Sequence, residues 1–185
     1  DMWIVISREY NEDPVIRTML PSTWISARRR TIIVFYNNPE KKVFEKLAIA
    51  RYNVGENIKA EWDMTKFPNQ WDALMNIITT RKPIKIGINT STHHNQADGL
   101  DVTDYNELMQ KMPAAFKSKV VSAENLAVNW LETRTEREMQ IYPQLVYATR
   151  KIIEEGFSEK VITPGITTTD DVVWWFREKI RSMGY

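Results

Sequence analysis

Apolar side chains recur along this chain with two periods, and the period changes with position. Residues 2–7 read MWIVIS and residues 31–36 read TIIVFY, the unbroken runs expected of strands covered on both faces. Residues 43–51 alternate, with Phe44, Ala48 and Ala50 set against Val43, Glu45, Leu47 and Ile49, which also predicts a strand. Asn37-Asn38-Pro39-Glu40 between the last two is turn chemistry, so they are expected to form a hairpin. From Asn69 the spacing becomes helical. Asn69 is placed to cap a helix with Trp71, Leu74, Met75 and Ile78 on one stripe, ended by Arg81-Lys82-Pro83. IKIGI at 84–88 predicts another buried strand. Thr103 is placed to cap a helix carrying Tyr105, Leu108, Met109 and Met112, which Pro113 stops, and residues 119–121 predict a short strand. Strands separated by helices predict α/β architecture: a mixed sheet flanked by helices, with some parallel pairing.

After Ser122 the pattern is helical only. Ser122 is placed to cap a helix bearing Leu126, Ala127, Trp130 and Leu131. Thr135 and Glu138 have capping-box spacing. The helix they open sets Met139, Tyr142, Leu145, Val146, Ile152 and Ile153 on one side. Pro143 falls inside it, at a cost of about 3 kcal/mol in a regular helix interior, so a kink, or a regular helix starting near Pro143, is expected. Pro164-Gly165 breaks the chain. Thr167 or Thr168 then caps a helix with Asp170 and Asp171 in its first turn, where the macrodipole favours acids. Its stripe is Val172, Val173, Phe176, Ile180 and Met183, and Gly184 fits as its stop.

Composition narrows the function classes. With 43% hydrophobic and 26% charged residues over 185 positions, the chain reads as one globular domain, or one plus part of another. A formal charge of +1 gives no general attraction to nucleic acid or anionic membrane. The absence of cysteine excludes disulfides, zinc–thiolate sites and a thiol nucleophile. No apolar run approaches the roughly 20 residues of a membrane span. The start inside a strand, without a charged leader region, is expected of a chain with residues upstream.

Few residues point to chemistry. His93 and His94, in NTSTHHNQADGL, are the only histidines, and no HExxH helix accompanies them. Asp98 and Asp101 lie close in sequence, but a polar loop is the simpler reading. Asp170 and Asp171 are adjacent on a helix, diverge by about 100° and cannot chelate one ion together. Arg28-Arg29-Arg30 near Trp24 reads as a solvated strand start or an ion-pair site rather than a nucleic-acid patch. Trp71, Trp130 and Trp175 fall on helical stripes and are expected in the core, while Trp174 lies off the stripe. No glycine loop of the phosphate-binding kind is present.

The order of these elements, and above all ITPGITTTDDVVWWFREKIRSMG after the Thr135 helix, resembles the opening of the catalytic domain in the pita-bread metallopeptidases. That family includes proline aminopeptidases, prolidases, creatinases and methionine aminopeptidases, and its pattern has an R-PG-x-T-E-x-D-V style. The resemblance implies a creatinase/prolidase-type N-terminal domain over residues 1–131. Residues 132–185 would be a linker and the first two helices of a truncated catalytic domain. It implies a parent that is a metal-dependent Xaa-Pro peptidase. Two manganese-like divalent ions would be held there by two aspartates, a histidine and two glutamates, activating a bridging water. Those ligands are expected downstream of the second helix, so no catalytic or metal residue is assigned here and the chain alone is expected to be inactive. Its role would be oligomerisation, as a homo-oligomer (a dimer), and gating of short proline-containing peptides. His93 and His94 become substrate-gating candidates, because in family dimers this domain leans over a neighbouring active site. Trp174 would pack on catalytic-domain structure. Two alternatives are a creatinase-type C–N hydrolase, which works without the metals, and a catalytically dead module that binds peptides or proteins. Neither nucleic acid nor membrane is an expected partner.

Overall fold

The apolar runs come together as a six-stranded sheet in the computed structural model, which describes residues 1–24 and 26–185. The chain divides into two units, Asp1–Thr133 and Arg134–Tyr185. The first contains, in order, β1 (Met2–Ser7), α1 (Pro14–Met19), β2 (Thr31–Asn38), β3 (Val43–Ile49), β4 (Lys59–Ala60), α2 (Gln70–Arg81), β5 (Ile86–Ile88), a 3₁₀ turn (Asn95–Ala97), α3 (Val102–Lys111), α4 (Ala114–Lys117), β6 (Val120–Ser122) and α5 (Glu124–Glu132). The strand order is β4-β3-β2-β1-β5-β6. β1, β2 and β3 are antiparallel to their neighbours in that trio, while β5 joins β1, β6 joins β5 and β4 joins β3 in parallel. The sheet is therefore mixed.

Every residue of β1 is buried, because it lies between β2 and β5 and both faces carry helices. Successive side chains alternate across a strand. Met2, Ile4 and Ile6 join Trp71, Leu74, Ile78, Leu108 and Met112 of α2 and α3. Trp3 and Val5 join Val15, Ile16, Ala123 and Ala127 of α1 and α5 on the other face.

Local chemistry accounts for the helix ends. The Asn69 side chain accepts from the Asp72 N–H at 2.9 Å, and Lys82, in the left-handed region at φ 48°, closes α2 before Pro83. Three expectations are corrected. Asp101, not Thr103, caps α3: its carboxylate accepts from the Asp104 N–H at 2.8 Å, and an ionised acceptor is the stronger cap. The buried face of α3 accordingly includes Asp104, while Tyr105 is exposed. Ala123 occupies the cap position of α5, with the Ser122 hydroxyl accepting from the Glu124 N–H at 3.1 Å from one place earlier. Ile84 is exposed, because pairing of β5 with β1 starts at Met2↔Ile86. Helices α1 and α4 and the two-residue β4 carry too few periodic positions to be read from spacing.

The second unit is a pair of helices, α6 (Glu136–Gly156) and α7 (Thr169–Ser182). α6 begins at Glu136 and runs through Pro143; the expected start near Pro143 is corrected, since the Thr135–Glu138 capping box fixes the first turn ahead of it. Gly156 of α6 lies under the Phe176 ring of α7, where a Cβ would come within 2.5 Å of ring carbons. Lys179 pairs with Glu155 at 2.8 Å. Among the expected stripe residues only Ile152 is buried, and α7 buries none.

Both helices open with a complete capping box, Thr135–Glu138 and Thr168–Asp171. Backbone N–H donation from Thr135 holds the Glu138 carboxyl below its ordinary range, and that from Thr168 does the same for Asp171. A depressed carboxyl stabilises the fold above its ordinary pKa and loses that contribution as pH falls through the folded value. On acidification below about pH 4, the Thr135 and Thr168 amides should lose exchange protection first, with loss of helix in residues 134–185. Amide NMR over a pH series checks this; protection independent of pH would contradict it.

Candidate functional site

The histidine loop is positioned by a buried polar clasp. β5 delivers Asn89, which is 1% exposed. Its Oδ1 accepts from Trp3 Nε1 at 2.8 Å and its Nδ2 donates to Asp13 Oδ2 at 2.8 Å. Asp13 caps α1 by accepting from the Val15 N–H at 2.8 Å, and its own N–H donates to Ser7 Oγ at 3.1 Å. The clasp thus ties β1, α1 and β5 at one point. Burial pushes the Asp13 carboxyl up, opposed by hydrogen bonds from Asn89, Val15 and Ile16.

Beyond Asn89 the chain turns around Ser91. Its hydroxyl oxygen accepts from the N–H groups of His93 and His94 at 3.1 and 2.8 Å and donates to Glu124 of α5, while its N–H donates to Asp98 Oδ1 at 3.0 Å. Local Ser and Asp bonding of this kind shapes loops without secondary structure. His93 and His94 are both exposed. Both border a shallow depression of about 400 Å³ against Val128, Leu131 and Glu132 of α5. His93 also stands on the rim of a larger cleft of about 1150 Å³.

The floor of that cleft is a cross-strand row, Lys46–Phe35–Trp3–Gly87–Val121, running over β3, β2, β1, β5 and β6. Phe35 stacks on Trp3 at 5.4 Å and on Phe44 at 6.4 Å between ring centroids. Trp130 of α5 closes one side, with its Nε1 donating to Thr18 Oγ1 at 2.7 Å. Trp130 is 43% exposed, which corrects its expected place in the core; the stripe of α5 overhangs the cleft edge. Trp71 is buried as expected, and Trp174 is exposed under the Arg177 guanidinium, 4.9 Å from the ring centroid. The signal for the cleft was present as Trp3, Phe35 and Phe44 at matching strand parity, but their register is set by pairing.

The loop's acidic side chains do not fit a dinuclear metal centre. Asp98 is engaged by the Ser91 N–H, and Asp101 caps α3 and lies 3.3 Å from Arg8 Nε. Among the described residues no group of three or more His, Cys, Asp or Glu could hold a metal ion. Asp171 serves its capping box, consistent with helix electrostatics. In the arginine run, Arg30 pairs with Asp104 at 2.8 Å and Glu107 at 2.9 Å and lies over Trp71, while Arg28 stacks on Trp24 at 4.3 Å. Arg30 is therefore an ion-pair residue. Compared with known protein families, curated proteins and solved structures, the chain matches none.

Proposed function

We propose that this chain is the non-catalytic N-terminal part of a metal-dependent Xaa-Pro peptidase of the pita-bread type: a creatinase-like α/β domain followed by the first two helices of the catalytic domain. In this reading the α/β unit contributes to assembly of subunits and walls the approach to the active site, so that short proline-containing peptides enter. The observation that carries the reading is the form of residues 134–185: two helices, each opened by a Thr capping box and joined through a Pro164-Gly165 turn, with apolar side chains such as Leu145, Val173 and Ile180 left exposed. A helix stripe of this kind is normally buried against further structure. The mixed sheet with helices on both faces supports the same reading at the level of architecture.

The purified 185-residue chain is expected to show no hydrolysis of an Xaa-Pro dipeptide or tripeptide with added manganese, because it is assigned no metal ligand. Turnover would overturn the reading. In a polypeptide where residues 1–185 precede the catalytic domain, His93→Ala and His94→Ala are expected to change selectivity among peptides through KM, with kcat nearly constant. Unchanged kinetics would remove both histidines from the gating role.

A further inference from the structure

The cleft on the α1/α5 face of the sheet has a shape and charge that identify its occupant. The two faces of the sheet are covered unequally: one carries α2 and α3, of 12 and 10 residues, the other α1 and α5, of 6 and 9. Sheet faces in α/β layers bury against helices, yet here the side chains around the floor stay exposed: Phe44 by 62%, Leu126 by 48% and Val121 by 43%. The strands from β3 to β6 span about 19 Å at the usual strand spacing. A helix with its side chains is about 10 Å across. α1 and α5 cover part of that span: Ala123, at the start of α5, is seated on Gly87, where an added Cβ would lie 3.1 Å from the Ala123 Cβ, and the Trp130 ring lies 6.4 Å from those of Trp3 and Phe35. The β3 side is left open, with Phe44 and Lys46 exposed, and a helix is what covers such a sheet face in α/β layers. The floor is made of strand side chains, bounded by the edge strand β6 and by β3 at Phe44 and Lys46, beyond the two residues that β4 pairs.

Charge gives the occupant a polarity. Lys46 and Lys85 border the floor, with Asp1 beside them, and among the described residues neither lysine has an ion-pair partner. The carboxylates on the other side, Asp98 and Glu124, are engaged by Ser91.

We propose that this cleft seats an amphipathic helix of a partner polypeptide, with its aliphatic stripe on Phe35, Phe44 and Trp130 and acidic residues on the flank that meets Lys46 and Lys85. This is helix-in-groove recognition, and it does not depend on the peptidase reading. The Trp130 indole N–H is already bonded to Thr18, so its half-exposed ring offers a face to an apolar stripe without leaving a donor unpaired.

The test uses the whole chain and three stapled or control peptides of about 18 residues, long enough to hold helix when stapled. One has a leucine stripe flanked by Glu, the second the same stripe flanked by Lys, and the third two central prolines in place of the staple. Binding is read by fluorescence anisotropy and by shifts of the Trp3 and Trp130 indole N–H resonances. The Glu-flanked helix is expected to bind, the Lys-flanked one at least about tenfold more weakly, and the proline peptide not to bind. Phe44→Asp, at an exposed position, should abolish binding with an unchanged circular dichroism spectrum. Lys46→Glu should reverse the preference between flanks. No binding of either helix at about 1 mM overturns the proposal. So does equal binding of the proline peptide, which would make the cleft a site for extended chains. Self-association of the chain that Phe44→Asp removes would also overturn it, since the occupant would then be a second copy.

Discussion

Gly99→Ala is expected to lower the stability of the α/β unit by about 3 kcal/mol, the upper part of the range for overpacking a filled site. A Cβ at Gly99 would lie 2.2 Å from Asp13 Oδ2, 2.4 Å from its Cγ and 2.9 Å from its Cα. The last is a backbone atom and cannot rotate away. Displacing Asp13 also breaks its hydrogen bonds with Asn89 and Val15, leaving buried donors unpaired. Urea unfolding should show a lower midpoint with an unchanged slope. Asp13→Ala combined with Gly99→Ala should cost less than the sum of the two, because the carboxylate in the way is gone. An unchanged midpoint for Gly99→Ala alone would mean that Asp13 is not seated there. The same residue sets a pH dependence opposite in sign to that of the capping boxes. Its carboxyl is pushed above the ordinary 3.8 by burial, so the folded state holds the proton more tightly than the unfolded chain does. Its contribution to stability therefore falls as pH rises from that value through the raised one. Asp13→Ser keeps a cap and should flatten that part of the pH profile.

Asp104→Ala is the second large effect, also expected at about 3 kcal/mol, the lower end for breaking a buried ion pair. Asp104 is 1% exposed, and its Oδ1 lies 2.8 Å from both Arg8 Nη2 and Arg30 Nη2. Its Oδ2 accepts from Arg8 Nε at 2.9 Å. That hydrogen bond is the main reason the Arg8 guanidinium is held above its ordinary pKa, against the opposing effect of burial. Alanine removes the carboxylate between two guanidinium groups and leaves them facing each other. The arginines are partly exposed, at 35% and 23%, so water screens some of the repulsion and the cost stays below that of a fully enclosed pair. Glu107 remains to hold Arg30 and the Trp71 indole, at 2.9 and 2.7 Å. The helix-surface pair Arg150–Glu154 is the control: Glu154→Ala should leave the urea midpoint nearly unchanged, because exposed pairs gain little. Equal effects of the two substitutions would mean that burial at Asp104 does not carry the energy.

Much of the fold was legible without coordinates because its signals are local. The continuous apolar run of β1 announced a strand covered on both faces, and burial of all six residues follows from its central place. The Thr135–Glu138 box, the Asn69 cap and Gly184 at φ 82° each depend on neighbours within a turn of chain. Where spacing misled, a contact distant in sequence had intervened. Asp104 took the buried position on α3 because Arg8 and Arg30, 96 and 74 residues away, converge on it; no helical period contains that information. Tyr105, on the expected stripe, was turned outward in consequence.

The site divides along the same line. His93 and His94 stood out as the chain's two histidines, and the polar run around them correctly suggested a loop. The clasp that anchors this loop joins Trp3, Asp13 and Asn89 across 76 and 86 residues, and the aromatic floor beside it depends on the pairings Trp3↔Phe35 and Phe35↔Lys46. Periodicity and caps specify which segments are strands and helices, because they act through adjacent backbone groups. Strand register, the seat of Ala123 on Gly87 and the meeting of two arginines at one carboxylate arise only when distant segments pack, since close packing and charge pairing act across space rather than along the chain.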